Sequence, residues 1–353
     1  MKPLRVVNSL DTFAALELMV DVLDGKVAGF ISAVEAPNMA TEVDDEVALI
    51  VESSGSTGDP KQIRLSLEAL KHSARASTES LGGDGQWLLA LPTNFIAGAN
   101  VLIRSVLSDT QPILLNTRVP FTTEAFVRGA SLMEGTRRYT SLVPAQLSRL
   151  AQDSESDAFV FSMLRKFDAI LVGGQLPNWS EVESLRAKGI NIVVSYGMTE
   201  TCGGCIYDGV PLAGVSFELN DGLISIAGPV LALGLGNQFQ TNDLGEIVDG
   251  KLEVLGRADR VVISGGLKVS LERVEQAALN IPGVDQVVAV PVASQWGESV
   301  GLLYQGSPEI NFESLTQQIS VAAKPAKVLR VTSFPRTATG KVDLLESAKL
   351  LAD

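Results

Sequence analysis

Histidine is almost missing from this chain: His72 stands alone among 353 residues, and cysteine occurs only as Cys202 and Cys205. A tetrahedral zinc centre needs four ligands, so the TCGGC pair supplies half a set, and no second pair exists to complete it. His72 lies in LSLEALKHSARAS, a helical stretch. With no Asp, Cys or Ser at a recognisable catalytic spacing, it reads as a helix-surface or packing residue. The chain also lacks any uninterrupted apolar run long enough to span a bilayer, although 46% of its residues are hydrophobic, so no transmembrane segment is expected. Basic residues are outnumbered, 28 against 41 acidic ones, for a formal net charge of -13. That balance disfavours nucleic acid or an anionic membrane as a partner and still permits a local basic pocket for phosphates. The first residues, MKPLRVVNSLDTF, interrupt their apolar positions with Asn8, Ser9 and Asp11. No secretory leader is visible there, and a cytoplasmic protein is expected.

What the chain does have is the segment SSGSTGDPK, Ser53 to Lys61. Gly55 and Gly58 can adopt backbone angles that aim successive N–H groups into one concavity, which suits a polyphosphate. Ser53, Ser54, Ser56 and Thr57 add hydroxyl donors, and Lys61 adds a point charge. The preceding EVALIVES is apolar and β-branched and predicts a buried strand. A Walker loop is excluded, because Gly55 and Gly58 stand too close together and Lys61 is followed by Gln62.

Period and punctuation predict the architecture. Helices are expected over 65–81, 97–107 and 123–133, in short pieces over 144–167, and over 180–187; strands over 87–91 and 112–116 and in RYTSLVP, AILVGG and NIVVSYG. Ser180 with Glu183 spells a capping box, and Gly189 sits where a helix-terminating glycine belongs. Such alternation predicts a large layered α/β domain with a mainly parallel sheet. From Cys205 to Leu255 short alternating runs broken by Gly, Asp and Asn predict antiparallel strands. A small α+β unit follows from Asp259, with helices over 271–279 and 312–322, strands over 287–292 and 300–304, and a C-terminal helix. No internal repeat or low-complexity linker is present. The expected division is 1–258 and 259–353.

After the Ser53–Lys61 loop come, in order, SYGMTET, TNDLGEI, GRADRVVISGGLKVSLERVE and PRTATGKVD. These motifs, spread from residue 53 to residue 343, resemble those of the adenylate-forming superfamily of acyl-CoA synthetases, carrier-loading adenylation domains and luciferases. The resemblance implies an enzyme that activates a carboxylate with ATP and magnesium to an acyl adenylate and then passes the acyl group to a thiol such as that of CoA. It implies that Ser53, Ser54, Gly55, Ser56, Thr57, Gly58 and Lys61 hold the β- and γ-phosphates, with Thr199 nearby, and that Glu200 ligates magnesium, a hard cation that favours oxygen. Gly173, Gly174 and Gln175 resemble the loop flanking adenine, and Tyr196 the ring stacked on it. Asp243 would accept from the ribose hydroxyls with Arg257 assisting; apart from the resemblance, TNDLG also reads as an Asx-turn. Lys341, Thr57 and Glu200 would be the catalytic residues, Lys341 as the cation that meets the charge spreading over the α-phosphate oxygens as the carboxylate attacks. Asp259 matches the superfamily's hinge, about which residues 259–353 would move. Gly265, Gly266 and Lys268 would then lie along the CoA thiol's path, although a plain β-turn explains a Gly-Gly pair equally well.

The run YGMTETCGGCIYDGVPLAGV and the segment LALPTNFIAGANVLIRS are similar to the o-succinylbenzoate-CoA ligase group, particularly its short actinobacterial type. The early phosphate loop agrees, since most superfamily members carry well over a hundred residues before it. This implies Phe95, Ser195, Gly197 and Thr201 beside the acyl substrate. Two departures stand out: Asn94 and Phe95 occupy positions where that group usually has histidines, and Asn242 replaces the usual glycine before Asp243. Phe95 can still serve as an aromatic gate. A ligase for another aryl or short-chain acid, a stand-alone enzyme loading a separate carrier protein, and a non-catalytic nucleotide binder are the alternative readings.

Overall fold

The computed structural model describes residues 1–34, 39–54, 60–294, 297–308, 310–336 and 342–352. It has the mixed α/β character that the sequence predicts, in two compact units: 1–218 with 225–240, and 219–224 with 241–353. The expected boundary at 258/259 falls inside the second unit, whose first part is the ribbon leading up to Asp259.

The first unit contains two sheets. In the five-stranded one the order is Glu42–Val43, Lys2–Asn8, Ala28–Ser32, Val47–Ser54 and Pro60–Ser66. Lys2–Asn8 and Ala28–Ser32 pair in parallel, joined by the helix Thr12–Leu23, whose Asp11 side chain caps it by accepting from the Ala14 amide. Val47–Ser54 is the strand expected before the phosphate loop, and Ala48 to Val51 are almost completely covered. The chain returns antiparallel as Pro60–Ser66, placing Ser53 opposite Lys61. The helix expected from 65 starts at Leu67 instead, because Ser66 is extended and its hydroxyl accepts from the Ala69 amide as the N-cap.

The seven-stranded sheet is the α/β core. Ile113–Leu114, Gln86–Leu89, Arg138–Leu142, Ala169–Gly173 and Ile192–Met198 run parallel, and Gly203–Tyr207 and Val210–Pro211 extend the sheet antiparallel. Helices cover it because each strand is apolar and each helix has one apolar face: Trp87, Leu89 and Tyr139 pack with the helix Ile96–Leu107, while Leu88, Leu142 and Ile170 pack with Phe126, Leu147 and Met163. The capping box at Ser180 and Glu183 is not formed. Asn178 caps the helix Trp179–Ala187 instead, accepting from the Ser180 and Glu181 amides, because an asparagine two residues earlier reaches both orphan donors at once. Gly189 follows that helix with φ +79°, the left-handed geometry expected of it.

The second unit is built around the antiparallel ribbon of Gln238–Val248 with Lys251–Arg257, followed by the hairpin of Val261–Ser264 with Leu267–Ser270. The helix Leu271–Leu279 packs on a three-stranded sheet of Val284–Ser294, Gly297–Gly306 and Lys327–Arg330. The helix expected over 312–322 is only Ser314–Gln318, with a separate turn of 3-10 helix at Val321–Ala323. Ile319 and Ser320 leave helical angles, consistent with two weak helix formers in succession.

Candidate active site

In the first unit, the site-bearing feature is a tight reversal. The strand Ile192–Met198 passes into a 3-10 turn at Thr199–Thr201, turns at Cys202 with φ +53°, and runs back as Gly203–Tyr207. Only glycine fits where these strands approach. A Cβ on Gly197 would lie 2.0 Å from the Gly203 carbonyl oxygen, and one on Gly173 would lie 2.6 Å from that of Ser195, its register partner. Ser195, Tyr196 and Gly197 are thereby set on one half-buried strand end beside Gly173, with Gly174 and Gln175 exposed just beyond.

The turn is fixed from several directions. Thr201 Oγ1 accepts from the Met198 amide at 3.0 Å and donates to the Gly203 carbonyl at 2.8 Å. The Cys202 carbonyl accepts from Asn100 Nδ2 at 2.8 Å and Ser73 Oγ at 3.2 Å, while the Glu200 carbonyl accepts from the Ala232 amide at 2.8 Å. Thr199 is buried, and Glu200 is half-buried on the same turn. The strand Pro60–Ser66, which carries Lys61, borders the turn. A pinned backbone presenting a half-exposed carboxylate fits a magnesium ligand, and the glycine-lined strand ends fit a flat nucleotide base. Gly55, Ser56, Thr57 and Gly58 lie outside the described residues, as does Lys341.

Cys202 and Cys205 are free and fully covered, and burial pushes their thiols up to about 12 and about 11. Among the described residues no group of three or more His, Cys, Asp or Glu is placed to hold a metal ion. His72 Nε2 bonds the Ala213 carbonyl at 2.8 Å, the packing role its sequence context suggests. Phe95 is 41% exposed at the N-terminus of the helix Ile96–Leu107.

That helix also carries a residue that its sequence context does not single out. Arg104 is the sole charged side chain in the fully buried set among the described residues. Its guanidinium stacks 4.9 Å from the centroid of Trp87 and donates to the Tyr207 hydroxyl at 3.3 Å, and its Nε has no hydrogen-bond partner among the described residues. No carboxylate among the described residues pairs with it. Nothing in the pattern ANVLIRSVL marks this arginine, since an isolated Arg on an amphipathic helix normally faces water.

In the second unit, Asp243 and Arg257 are register partners on adjacent strands, with their charged groups 3.9 Å apart. Asp259 is half-exposed and held by Arg257. Gly265 and Gly266 have φ +58° and +81°, and Lys268 is exposed beside them. A Cβ on either glycine would meet nothing within 4 Å, so the left-handed backbone, not crowding, is what these two positions require.

A family model described as AMP-binding enzyme matches residues 7–232, more than half of the chain. The chain belongs to the AMP-binding enzyme family. One curated relative, a probable 2-succinylbenzoate–CoA ligase of Mycobacterium tuberculosis, is 38% identical over 335 residues, covering 88% of this chain and 86% of its own. The 2-succinylbenzoate–CoA ligase of Lactococcus lactis is 26% identical, covering 85% and 70%. Among solved structures, the o-succinylbenzoate CoA synthetase of Bacillus subtilis in complex with its acyl-adenylate intermediate superposes with a TM-score of 0.76 at 22% identity, covering 98% of this chain and 82% of that one. The same Bacillus enzyme with ATP and magnesium gives 0.74 at 23% identity, covering 92% and 76%. At such identities the superpositions speak to the fold that this AMP-binding enzyme shares.

Proposed function

We propose that this AMP-binding enzyme is an acid–thiol ligase that converts o-succinylbenzoate, ATP and CoA to o-succinylbenzoyl-CoA, AMP and pyrophosphate through an acyl adenylate. The observation that carries the substrate is the 38% identity to a probable 2-succinylbenzoate–CoA ligase along nearly the whole of both chains. In the first step a carboxylate oxygen attacks the α-phosphorus and pyrophosphate leaves. In the second, the CoA sulfur attacks the acyl carbon, AMP leaves and the thiol proton is released.

The chain's own groups divide this work. Ser53, Ser54, Gly55, Ser56, Thr57, Gly58, Lys61 and Thr199 hold the phosphates. Gly173, Gly174, Gln175 and Tyr196 hold the base, and Asp243 with Arg257 the ribose. Magnesium, held by Glu200, would offset phosphate charge. Lys341 stabilises the charge that builds at the α-phosphate, where a preorganised cation acts on the transition state more than on the ground state. Residues 259–353 turn about Asp259 between the two steps, bringing Gly265, Gly266 and Lys268 to the thiol's path. Phe95, Ser195, Gly197 and Thr201 border the acyl group.

The substrate carries a second carboxylate, and a buried carboxylate needs a cation. Arg104 has the matching deficit: a buried positive charge with an unpaired donor and no acidic partner among the described residues. We assign it the second carboxylate. The enzyme works in the cytoplasm on small molecules and has no nucleic-acid partner, in keeping with its net charge of -13. Among the described residues no helix is long and apolar enough to cross a membrane.

ATP–pyrophosphate exchange over a panel of carboxylic acids, with product masses taken with and without CoA, tests the assignment. A site built around a second polar group should favour o-succinylbenzoate over benzoate by about 100-fold or more in kcat/KM. Comparable values for the two acids would remove o-succinylbenzoate as the substrate. An adenylate that CoA never converts to thioester would remove CoA ligation.

A further inference from the structure

Two hydrogen bonds in the second unit cross the Asp259 position. Ser270 Oγ donates to the Leu255 carbonyl at 3.1 Å, and Glu272 Oε2 accepts from the Arg257 amide at 2.7 Å. Leu255 and Arg257 belong to the strand before Asp259, whereas Ser270 and Glu272 form the cap and first turn of the helix after it. The fit is close. A Cβ on Gly256 would lie 2.2 Å from Glu272 Oε2 and 3.0 Å from Ser270 Oγ, so the strand touches the helix end only because residue 256 is glycine, at φ +115°.

The contacts of Arg260 lie wholly on the far side of Asp259. Arg260 donates to Glu275 Oε1 at 2.7 Å and to the Ala289 carbonyl at 2.7 Å, and the Ala289 amide donates back to Glu275 Oε1 at 2.8 Å. Those bonds can travel with residues 260–353 as one body. The Glu272 and Ser270 bonds cannot, because their partners stay behind when the chain turns at Asp259. Burial sharpens the contrast: the Glu272 side chain is 19% exposed, so breaking its bond to the Arg257 amide leaves a largely desolvated carboxylate, with the Arg260 guanidinium 3.9 Å away.

We propose that Glu272 is a latch that holds one of the two arrangements about Asp259 and must release for the other to form. The proposal rests on the reading of Asp259 as a hinge. The latch also acts on the site, since the amide it holds belongs to Arg257, the residue assigned to the ribose. Arg257 is therefore fixed twice: its backbone by Glu272 and its guanidinium by Asp259. A hydrogen bond to a charged acceptor is strong enough to shift a two-state ratio by roughly tenfold. Release of the latch would thus favour one half-reaction at the expense of the other. A merely structural carboxylate would affect both alike.

The test uses the full chain with spin labels at Glu124→Cys and Glu313→Cys, both exposed positions, the native cysteines being buried. Distances are measured with ATP and o-succinylbenzoate bound, and again after CoA is added. The unlatched variant Glu272→Ala is expected to move the ratio of two distances by about tenfold. It should also raise the rate of one half-reaction relative to the other. Glu272→Gln keeps an acceptor oxygen for the Arg257 amide and should fall between it and the parent chain. The latch is overturned if Glu272→Ala leaves the ratio unchanged, or if it slows adenylation and thioester formation equally. A single distance in the parent chain under both conditions removes the hinge reading itself, and the latch with it. Two distances in the parent and no response to Glu272→Ala remove the latch alone.

Discussion

Arg257 grips Asp259 rather than Asp243. Its Nε lies 2.8 Å from Asp259 Oδ1 and its terminal nitrogen 2.6 Å from Oδ2, a two-point clamp, whereas Asp243 Oδ1 stands 3.9 Å away. The clamp holds the Asp259 carboxyl below the ordinary carboxylate range and raises the Arg257 guanidinium further. Because Arg257 is about two-fifths exposed and Asp259 nearly half, the pair contributes little to global stability. Its importance is in linking the residue assigned to the ribose with the residue assigned to the turn between steps.

Proline at 259 separates those roles. Asp259→Pro fixes φ and resists the swing, so adenylation should persist while thioester formation stops. Single-turnover measurement of each half-reaction checks this. Equal loss of both would mean that the substitution unfolds the ribbon or that the hinge lies elsewhere. The pH sign of the parent clamp follows from its lowered carboxyl. What stability the pair supplies is complete above the unfolded aspartate value near 3.8 and declines as pH falls through the lower folded value.

Much of this was legible because it is local. Alternating apolar strands and punctuated helices gave the order of the α/β core almost element by element, and the Gly197 and Gly173 positions carry their own explanation in a close strand approach. The strand Pro60–Ser66 was missed although Gln62, Ile63, Arg64 and Leu65 alternate exposed and covered, because the longer helical period that begins at Leu67 overrode a short period-two signal. Arg104 and Glu272 were illegible for a different reason. A buried cation with no acid beside it among the described residues, or a carboxylate bonded to an amide fifteen residues earlier, is a property of packing that no spacing encodes.

The cysteines should be silent. Burial raises both thiols, to about 12 for Cys202 and about 11 for Cys205, so at pH 8 neither presents a thiolate and both are covered. Alkylation of the folded enzyme at pH 8 should therefore proceed only at the rate of unfolding. A thiol raised on folding contributes stability that is complete below the unfolded value near 9 and is lost as pH climbs through the folded values, so the fold should weaken progressively above pH 9. Cys202→Ser with Cys205→Ser should keep ATP affinity. Stoichiometric zinc in the native protein that this variant loses would overturn the packing role.

Lys341 should matter in one step alone. Removing a preorganised electrostatic contact costs about 10²- to 10³-fold, so Lys341→Ala should slow adenylation by that factor or more. Supplied with presynthesised acyl adenylate and CoA, the same variant should form thioester at close to the native rate. Failure in both steps to the same degree would mean that one arrangement serves both reactions.

Arg104 offers the sharpest test of substrate identity, because its expected effects on stability and on activity have opposite signs. A buried charge with no acidic partner among the described residues is costly to the empty protein, even with the Trp87 face beneath it and one hydrogen bond to Tyr207. Methionine has nearly the same length and no charge to desolvate, so Arg104→Met should leave the melting temperature unchanged or raise it. If the guanidinium receives the second carboxylate of o-succinylbenzoate, the same variant should lose about 100-fold or more in kcat/KM for that acid, since the carboxylate is then buried unpaired. Benzoate, which lacks the second carboxylate, should lose little. The discrimination between the two acids would then collapse in a protein that is no less stable than its parent. An Arg104→Met variant that melts lower and loses both acids equally would show that the arginine serves the core, and the second carboxylate would need another partner.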